Sequence, residues 1–200
     1  MARGRVTLLS HLLASTTLAL LSLTPSADAQ VQSDPTGFHL GARLNGAAIT
    51  TTDGSGDESG SGVGLSVGWG FNHRITLYAE GAVASMEKGD YTLMHSDLGV
   101  RMNLGGEASR TLGFLTLATG TREGEFTDSG FTFAVSGSTL TFGGGGAYFF
   151  NPSLSIDVGL KWTVGTFDTF KAFGVSVTTQ SDYAATSTRF DIGISKYFQW

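Results

Sequence analysis

The sequence predicts an all-β fold: an eight-stranded antiparallel up-and-down transmembrane β-barrel, a meander, preceded by a signal peptide. Three observations predict it. Apolar residues recur at every second position in segment after segment, which is the period of a strand with one apolar face. The connections alternate between long polar stretches and tight turns, which gathers the turns at one end of a meander and the long loops at the other. Aromatic residues sit at the strand ends nearest the tight turns or the C-terminus, at Trp69, Phe71, Tyr148, Phe150, Phe198 and Trp200, as a girdle at one membrane interface would.

The composition agrees. A chain of 200 residues suits one domain with a targeting segment. Glycine is high at 29, proline low at 3, and only 14% of residues are charged. A barrel that alternates apolar with small polar residues has this balance without any continuously apolar strand. The absence of cysteine excludes disulfides, thiolate zinc sites, cysteine nucleophiles and a lipoprotein anchor. A net charge of -5 with no basic stripe argues against a nucleic-acid partner.

Residues 1–29 read as the signal peptide. MARGR supplies positive charge, residues 6–23 are mostly apolar, Pro25 breaks the run, and Ala27-Asp28-Ala29 is a small-x-small cleavage pattern. A retained helix fits less well, because the segment is short for a span and carries His11 and several Ser and Thr. The barrel domain is expected to be residues 30–200. No apolar run after residue 29 could cross a membrane as a helix, so a membrane-spanning chain must cross as a barrel.

The strands follow in order. Residues 37–49 place Phe38, Leu40, Ala42 and Leu44 on one face, with His39 and Arg43 on the other. Residues 50–61 (TTTDGSGDESGS) are expected to be a loop. Residues 62–71 alternate Val63, Leu65, Val67, Trp69 and Phe71 against glycine and serine. Asn72-His73-Arg74 is a tight turn, and residues 75–86 put Ile75, Leu77, Ala79 and Val83 out and Tyr78 and Glu80 in. After a short loop at 87–91, residues 92–104 set Met94, Leu98, Val100, Met102 and Leu104 against His95, Asp97, Arg101 and Asn103. Residues 105–110 are a turn. Residues 111–121 are a strand whose phase stays open, because Leu and Phe occupy both parities. Residues 122–137 are expected to be a loop, with FTFAV in its middle able to extend the flanking strands. Residues 138–150 align Leu140, Phe142, Tyr148 and Phe150, and Asn151-Pro152-Ser153 is another tight turn. Residues 154–164 run from Leu154 to Val164 with Asp157 and Lys161 inward. Residues 165–184 are expected to be the longest loop. The last strand, TRFDIGISKYFQW, aligns Phe190, Ile192, Ile194, Phe198 and Trp200, with Lys196 as the one break.

An eight-stranded barrel is only wide enough for side chains to fill it. The inward set is Arg43, Tyr78, Glu80, His95, Asp97, Arg101, Asp157, Lys161, Arg189, Asp191 and Tyr197. Its charges nearly balance, and buried ions are costly unless paired. The expected structural network in the lumen is therefore Arg43, Glu80, Asp97, Arg101, Asp157, Lys161, Arg189 and Asp191. A wide diffusion pore needs many more strands.

No catalytic, cofactor or metal site is expected. No HExxH, GxSxG or clustered ligand set occurs. His39 and His73 lie near strand ends and are expected in solvent. Asp53, Asp57 and Glu58 read as a solvated acidic loop, without the glycine-anchored spacing of a calcium loop. The glycines at 143–146 lack the Lys-Ser/Thr of a phosphate loop, and are expected to make room for bulky neighbours or let the sheet bend.

The terminal ISKYFQW, the hairpin GGGGAYFFNPSLSIDVGLKW and the signal peptide resemble the small eight-stranded outer-membrane proteins of the OmpA/OmpX-like, opacity-protein class, often called porin-family or outer membrane protein β-barrel domains. In that class Ile192, Ile194, Phe198 and Trp200 would form the C-terminal assembly signal. The resemblance implies a bacterial outer-membrane location. It implies delivery by periplasmic chaperones and the barrel-assembly machinery, contact with outer-membrane lipid and lipopolysaccharide, and a monomer with no further periplasmic domain. The implied role is structural or surface interaction, with the long loops outside. A narrow channel for small solutes or hydrophobic compounds is the alternative within membranes, and a lipid-modifying enzyme the alternative outside that class of role. His95-Ser96 with Asp97 is similar at one point to outer-membrane lipid A deacylases, but adjacent strand residues point to opposite faces. A soluble lipocalin-like barrel would reverse the faces and turn the charged one to water.

Overall fold

A computed structural model of the chain describes residues 32–51, 57–87, 91–106, 108–128, 131–172 and 175–199. The predicted signal peptide, its cleavage site and Trp200 lie outside the described residues. Eight strands form a closed barrel in sequence order: β1 (Gly37–Thr51), β2 (Asp57–Gly70), β3 (Ile75–Met86), β4 (Tyr91–Leu104), β5 (Thr111–Asp128), β6 (Phe131–Asn151), β7 (Leu154–Ala172) and β8 (Val175–Phe198). Every pairing is antiparallel, and β8 closes on β1 from Phe38↔Phe198 to Thr51↔Ala185.

Successive cross-strand partners from Phe38 run through Trp69, Leu77, Val100, Leu117, Phe142, Trp162 and Thr188 and return at Ala48, 10 residues further along β1. Eight strands with this stagger tilt by about 40° and enclose a cylinder of about 8 Å radius through the backbone. Such a space holds side chains and little else.

The alternation is inside-out relative to a soluble barrel. On β3 the burial pattern is strictly alternating, with Tyr78 and Glu80 buried and Leu77 and Val83 exposed. The outer wall carries Leu44, Leu65, Leu98, Leu117, Phe142 and Ile194, all exposed. The phase left open at residues 111–121 resolves with Leu112, Phe114, Thr116 and Ala118 inward and Leu115 and Leu117 outward. Its ambiguity has a physical cause. Leu112 packs inside with Ala147, Phe149 and Tyr197 as an apolar floor at the turn end of the lumen. Phe114, also inward, lies 3.9 Å below the Arg101 guanidinium.

The tight turns form where the sequence places them. Asn72 Oδ1 accepts from the backbone N–H of Arg74 at 2.8 Å and of Ile75 at 2.9 Å. Asn151 Oδ1 accepts from Ser153 N–H at 3.0 Å. Asparagine favours these positions because its side chain can stand in for a backbone turn. Lys196, the break in the final strand, donates to Ser153 Oγ in that turn at 2.6 Å. Its stem lies on the outer wall and its charge at the rim.

The long stretches at the other end are largely strand. Asp57 to Ser61 pair with β1 and extend β2, contrary to the expected loop at 50–61. The expected loops at 122–137 and 165–184 are arms of extended hairpins: β5 runs to Asp128, β6 starts at Phe131, β7 ends at Ala172 and β8 starts at Val175. FTFAV is indeed part of β6. The composition misled because a hairpin standing in water needs no apolar outer face; its ladder hydrogen bonds hold it whatever the side chains. β8, at 24 residues, is more than twice as long as the roughly ten needed to cross a bilayer. The β5–β8 arms therefore project well past the apolar band.

Candidate functional site

The interior polar cluster is built by alternation. Each inward position on one strand meets inward positions on strands across the narrow lumen, so residues far apart in sequence come into contact. Glu80 on β3 is the node. Its carboxylate accepts from Arg43 Nη1 on β1 at 2.5 Å and from Lys161 Nζ on β7, and Arg189 Nη1 on β8 lies 3.6 Å away. Lys161 also reaches Asp191 at 3.1 Å, and Arg189 Nη2 donates to Asp97 on β4 at 2.6 Å. Arg43, Lys161 and Arg189 thus face Glu80, Asp97 and Asp191. Nearer the turn end, Arg101 and Asp157 form a second pair at 3.3 Å.

Neutral donors and acceptors take up some of the remaining valences. Thr141 Oγ1 donates to Asp97 at 3.2 Å, and lies 2.9 Å from Thr163 Oγ1. Arg101 Nε donates to Asn103 Oδ1 at 2.9 Å, and Ser195 Oγ donates to Asp157. A void bordered by His39, Arg43, Tyr78, Arg101, Phe114 and Thr116 measures about 10 Å³, room for at most one water. The arrangement pairs ions across a narrow, packed space.

Two expectations change. His39 is buried, not solvated: it stacks on Tyr197 with ring centroids 5.3 Å apart, because its position in β1 has inward parity. Arg122, assigned to a loop, is on β5 and fully buried. Its Nη1 donates to Ser187 Oγ at 3.3 Å and its Nη2 to the Ala185 carbonyl at 3.2 Å. The even parity of Leu112, Phe114, Thr116 and Ala118 runs on through it, a signal hidden while the phase of β5 was open. His95 is buried in the lumen and Ser96 is exposed on the outer wall, so the two cannot meet. Among the described residues no group of three or more His, Cys, Asp or Glu is placed to hold a metal. Asp53 lies outside the described residues. At the hairpin end the lumen is closed by an apolar cluster of Ala47, Ile49, Ala84, Met86, Leu93 and Ala185, with Tyr91 and Phe167 against it.

The C-terminal strand places Ile192, Ile194 and Phe198 on the exposed outer face, on the opposite side from buried Arg189, Asp191 and Tyr197. Trp69, Phe71, Tyr148, Phe150 and Phe198 are all exposed at the turn end.

Known proteins share this architecture. The crystal structure of Neisserial surface protein A superposes with a TM-score of 0.67 at 14% identity, over 82% of this chain and 98% of that one. Ail, the attachment invasion locus protein of Yersinia pestis, superposes with a TM-score of 0.55 at 15% identity, over 82% and 99%. At such identities the likeness is one of fold. No curated protein sequence matches the chain significantly. The family model described as outer membrane protein beta-barrel domain matches residues 16–180. With its closed eight-stranded wall, apolar outside and charged inside, the chain belongs to the outer membrane protein β-barrel domain family.

Proposed function

We propose that this protein is a bacterial outer-membrane barrel with a structural or surface-interaction role. Its lumen is plugged by the Glu80 network, and its β5–β8 hairpins are held out from the cell. The observation that supports this most is the pairing of interior charges. Arg43, Lys161, Arg189 and Arg101 are matched by Glu80, Asp97, Asp191 and Asp157 at contact distance, with apolar clusters on both sides along the axis. A path for solutes would have to break these contacts in a low-dielectric space, where separating paired ions is costly.

On this reading the chain crosses the inner membrane by its signal peptide (residues 1–29). Periplasmic chaperones and the barrel-assembly machinery then insert it, reading Ile192, Ile194, Phe198 and Trp200 as its assembly signal. It sits as a monomer among outer-membrane lipid and lipopolysaccharide, with the tight turns toward the periplasm. The role is binding or support, not catalysis. One relative, Ail, has been crystallised with the heparin analogue sucrose octasulfate. A polyanion is a poor match here, since the projecting arms carry Glu123 and Glu125 against Lys171.

The test is electrical. Refolded protein in planar lipid bilayers is expected to be silent, while the same sample shifts on gels between unheated and boiled states. The alternative, a narrow channel for small solutes or hydrophobic compounds, predicts steady unitary conductance that falls when Glu80 or Arg101 is neutralised. That result would replace the plugged reading.

A further inference from the structure

The paired charges of the lumen leave one cation over. Arg122 is 0% exposed, and no carboxylate among the described residues lies within ion-pair distance of it. Its two described acceptors are a hydroxyl and a carbonyl, and its Nε–H has none. A buried guanidinium without a counter-ion is unfavourable unless something anionic comes to it, and its planar fork suits a carboxylate.

What lies next to Arg122 is apolar. The Phe167 ring covers the guanidinium at 4.6 Å and packs on the hairpin-end cluster that includes Leu93 and Met86. Further out along β5, Gly124 and Phe126 continue the inward parity of Arg122. Phe126 pairs with Phe133 on β6 and stacks on Tyr91 at 4.5 Å. Val135 pairs with Phe170 on β7, and Phe170 pairs with Val177 on β8. Phe133 and Phe170 stack at 6.3 Å. Phe170 and Val177 remain 40% and 53% exposed, although they face inward on arms that stand in water. The opposite face of the same arms is polar, with Lys171 paired to Glu123 at 2.7 Å. An apolar inner face with a polar outer one is the reverse of the barrel wall below. It is the pattern of a surface that covers something apolar.

The geometry points to a binding site for an amphiphilic monocarboxylate, a long-chain fatty acid. Its carboxylate would sit on Arg122 and its hydrocarbon chain along Phe126, Phe133 and Phe170. Phe167 is the door: half-buried over the guanidinium, it turns aside to admit the head group. The polar atoms of Arg122 and the apolar strip are arranged end to end, head group inward and chain outward. The Glu80 network lies beyond, so the site binds without passing its ligand through. Glu58, on the inner face of β2, lies against Tyr91 and makes no ion pair with Arg122, leaving the guanidinium for the ligand.

The experiment uses the full-length protein refolded in lipid nanodiscs and radiolabelled oleate, with empty nanodiscs subtracted. Saturable binding of one oleate per chain is expected, with oleyl alcohol bound roughly tenfold or more weakly because it lacks the charge. Arg122→Gln is expected to weaken oleate roughly tenfold or more and to erase the preference over the alcohol. Equal affinity for acid and alcohol in the unmodified protein, oleate binding unchanged in Arg122→Gln, or no binding beyond empty nanodiscs would each overturn the proposal. Should Arg122→Gln fail to refold, Phe170→Asp decides. That residue lies outside the apolar band, so the heat-dependent gel shift is kept while oleate affinity drops several-fold, and an undiminished affinity there overturns the site.

Discussion

At the residue scale, Glu80 carries the most weight. Three cations depend on it, from β1, β7 and β8, so its carboxylate ties β3 to strands that are not its neighbours. Its side chain is 2% exposed. Glu80→Gln keeps the shape and removes the charge, leaving Arg43 without a counter-ion among the described residues and Lys161 dependent on Asp191 alone. Removing one member of a buried ion pair costs about 3–5 kcal/mol. Urea unfolding in lipid vesicles, followed by tryptophan fluorescence, is expected to show a loss of that size. A change below about 1 kcal/mol, the worth of a surface pair, would mean that water reaches the site and the lumen is open. Glu80 was identifiable from the sequence because Tyr78 and Glu80 alternate with Leu77 and Ala79. His39 was not, since nearness to a strand end suggested solvent while the inward parity of β1 decided burial.

At the scale of elements, the glycine run of β6 shows how the sheet accommodates its contents. Gly143 and Gly145 have inward parity and Gly144 and Gly146 outward. A Cβ on Gly145 would lie 2.0 Å from the Val158 carbonyl oxygen and 2.7 Å from the Phe114 ring, and one on Gly143 would meet the Lys161 side chain at 2.9 Å. A Cβ on Gly146 finds its nearest neighbour at 3.9 Å. The inward glycines thus admit Phe114 and Lys161, which in turn meet Arg101 and Glu80. Gly145→Ala is expected to lower the yield of the heat-shifting folded form sharply, and Gly146→Ala to leave it unchanged or slightly raised, since alanine narrows the unfolded ensemble. Equal yields would remove the packing argument. The sequence made the run visible as part of a strand with glycines for clearance, but not which two glycines do the work. Strand boundaries at the hairpin end were less legible. Alternating hydrophobicity reports contact with lipid, and the signal vanishes where β5 to β8 leave the bilayer while pairing continues to Asp128↔Phe131 and Ala172↔Val175. Arg122 disappeared from view for the same reason, although β5 carries it inward in unbroken register.

For the whole molecule, the direction in which the wall faces separates this barrel from a soluble one of the same strand number. Both close a sheet and both alternate, and the sign of the alternation differs. Here the exposed positions are Leu44, Leu65, Leu98, Leu117 and Ile194 and the buried ones are ions, which only a hydrocarbon surround makes favourable. Depth then becomes measurable. Leu65 is 68% exposed in the middle of the apolar positions of β2, between Val63 and Val67. Ser59 is exposed on the same face of the same strand, near the hairpin end. A cation at the bilayer midplane costs about 2–4 kcal/mol, falling to about 0–1 near the interface. Leu65→Arg is therefore expected to destabilise the refolded barrel in lipid vesicles by the larger amount and Ser59→Arg by the smaller, with neither touching the lumen. On an outer wall that met water instead of lipid, arginine would be tolerated at both positions. Equal, small effects at the two would thus remove the lipid contact of this face, whereas a gradient along β2 ties the apolar wall to lipid and fixes how far the β5–β8 arms stand above it.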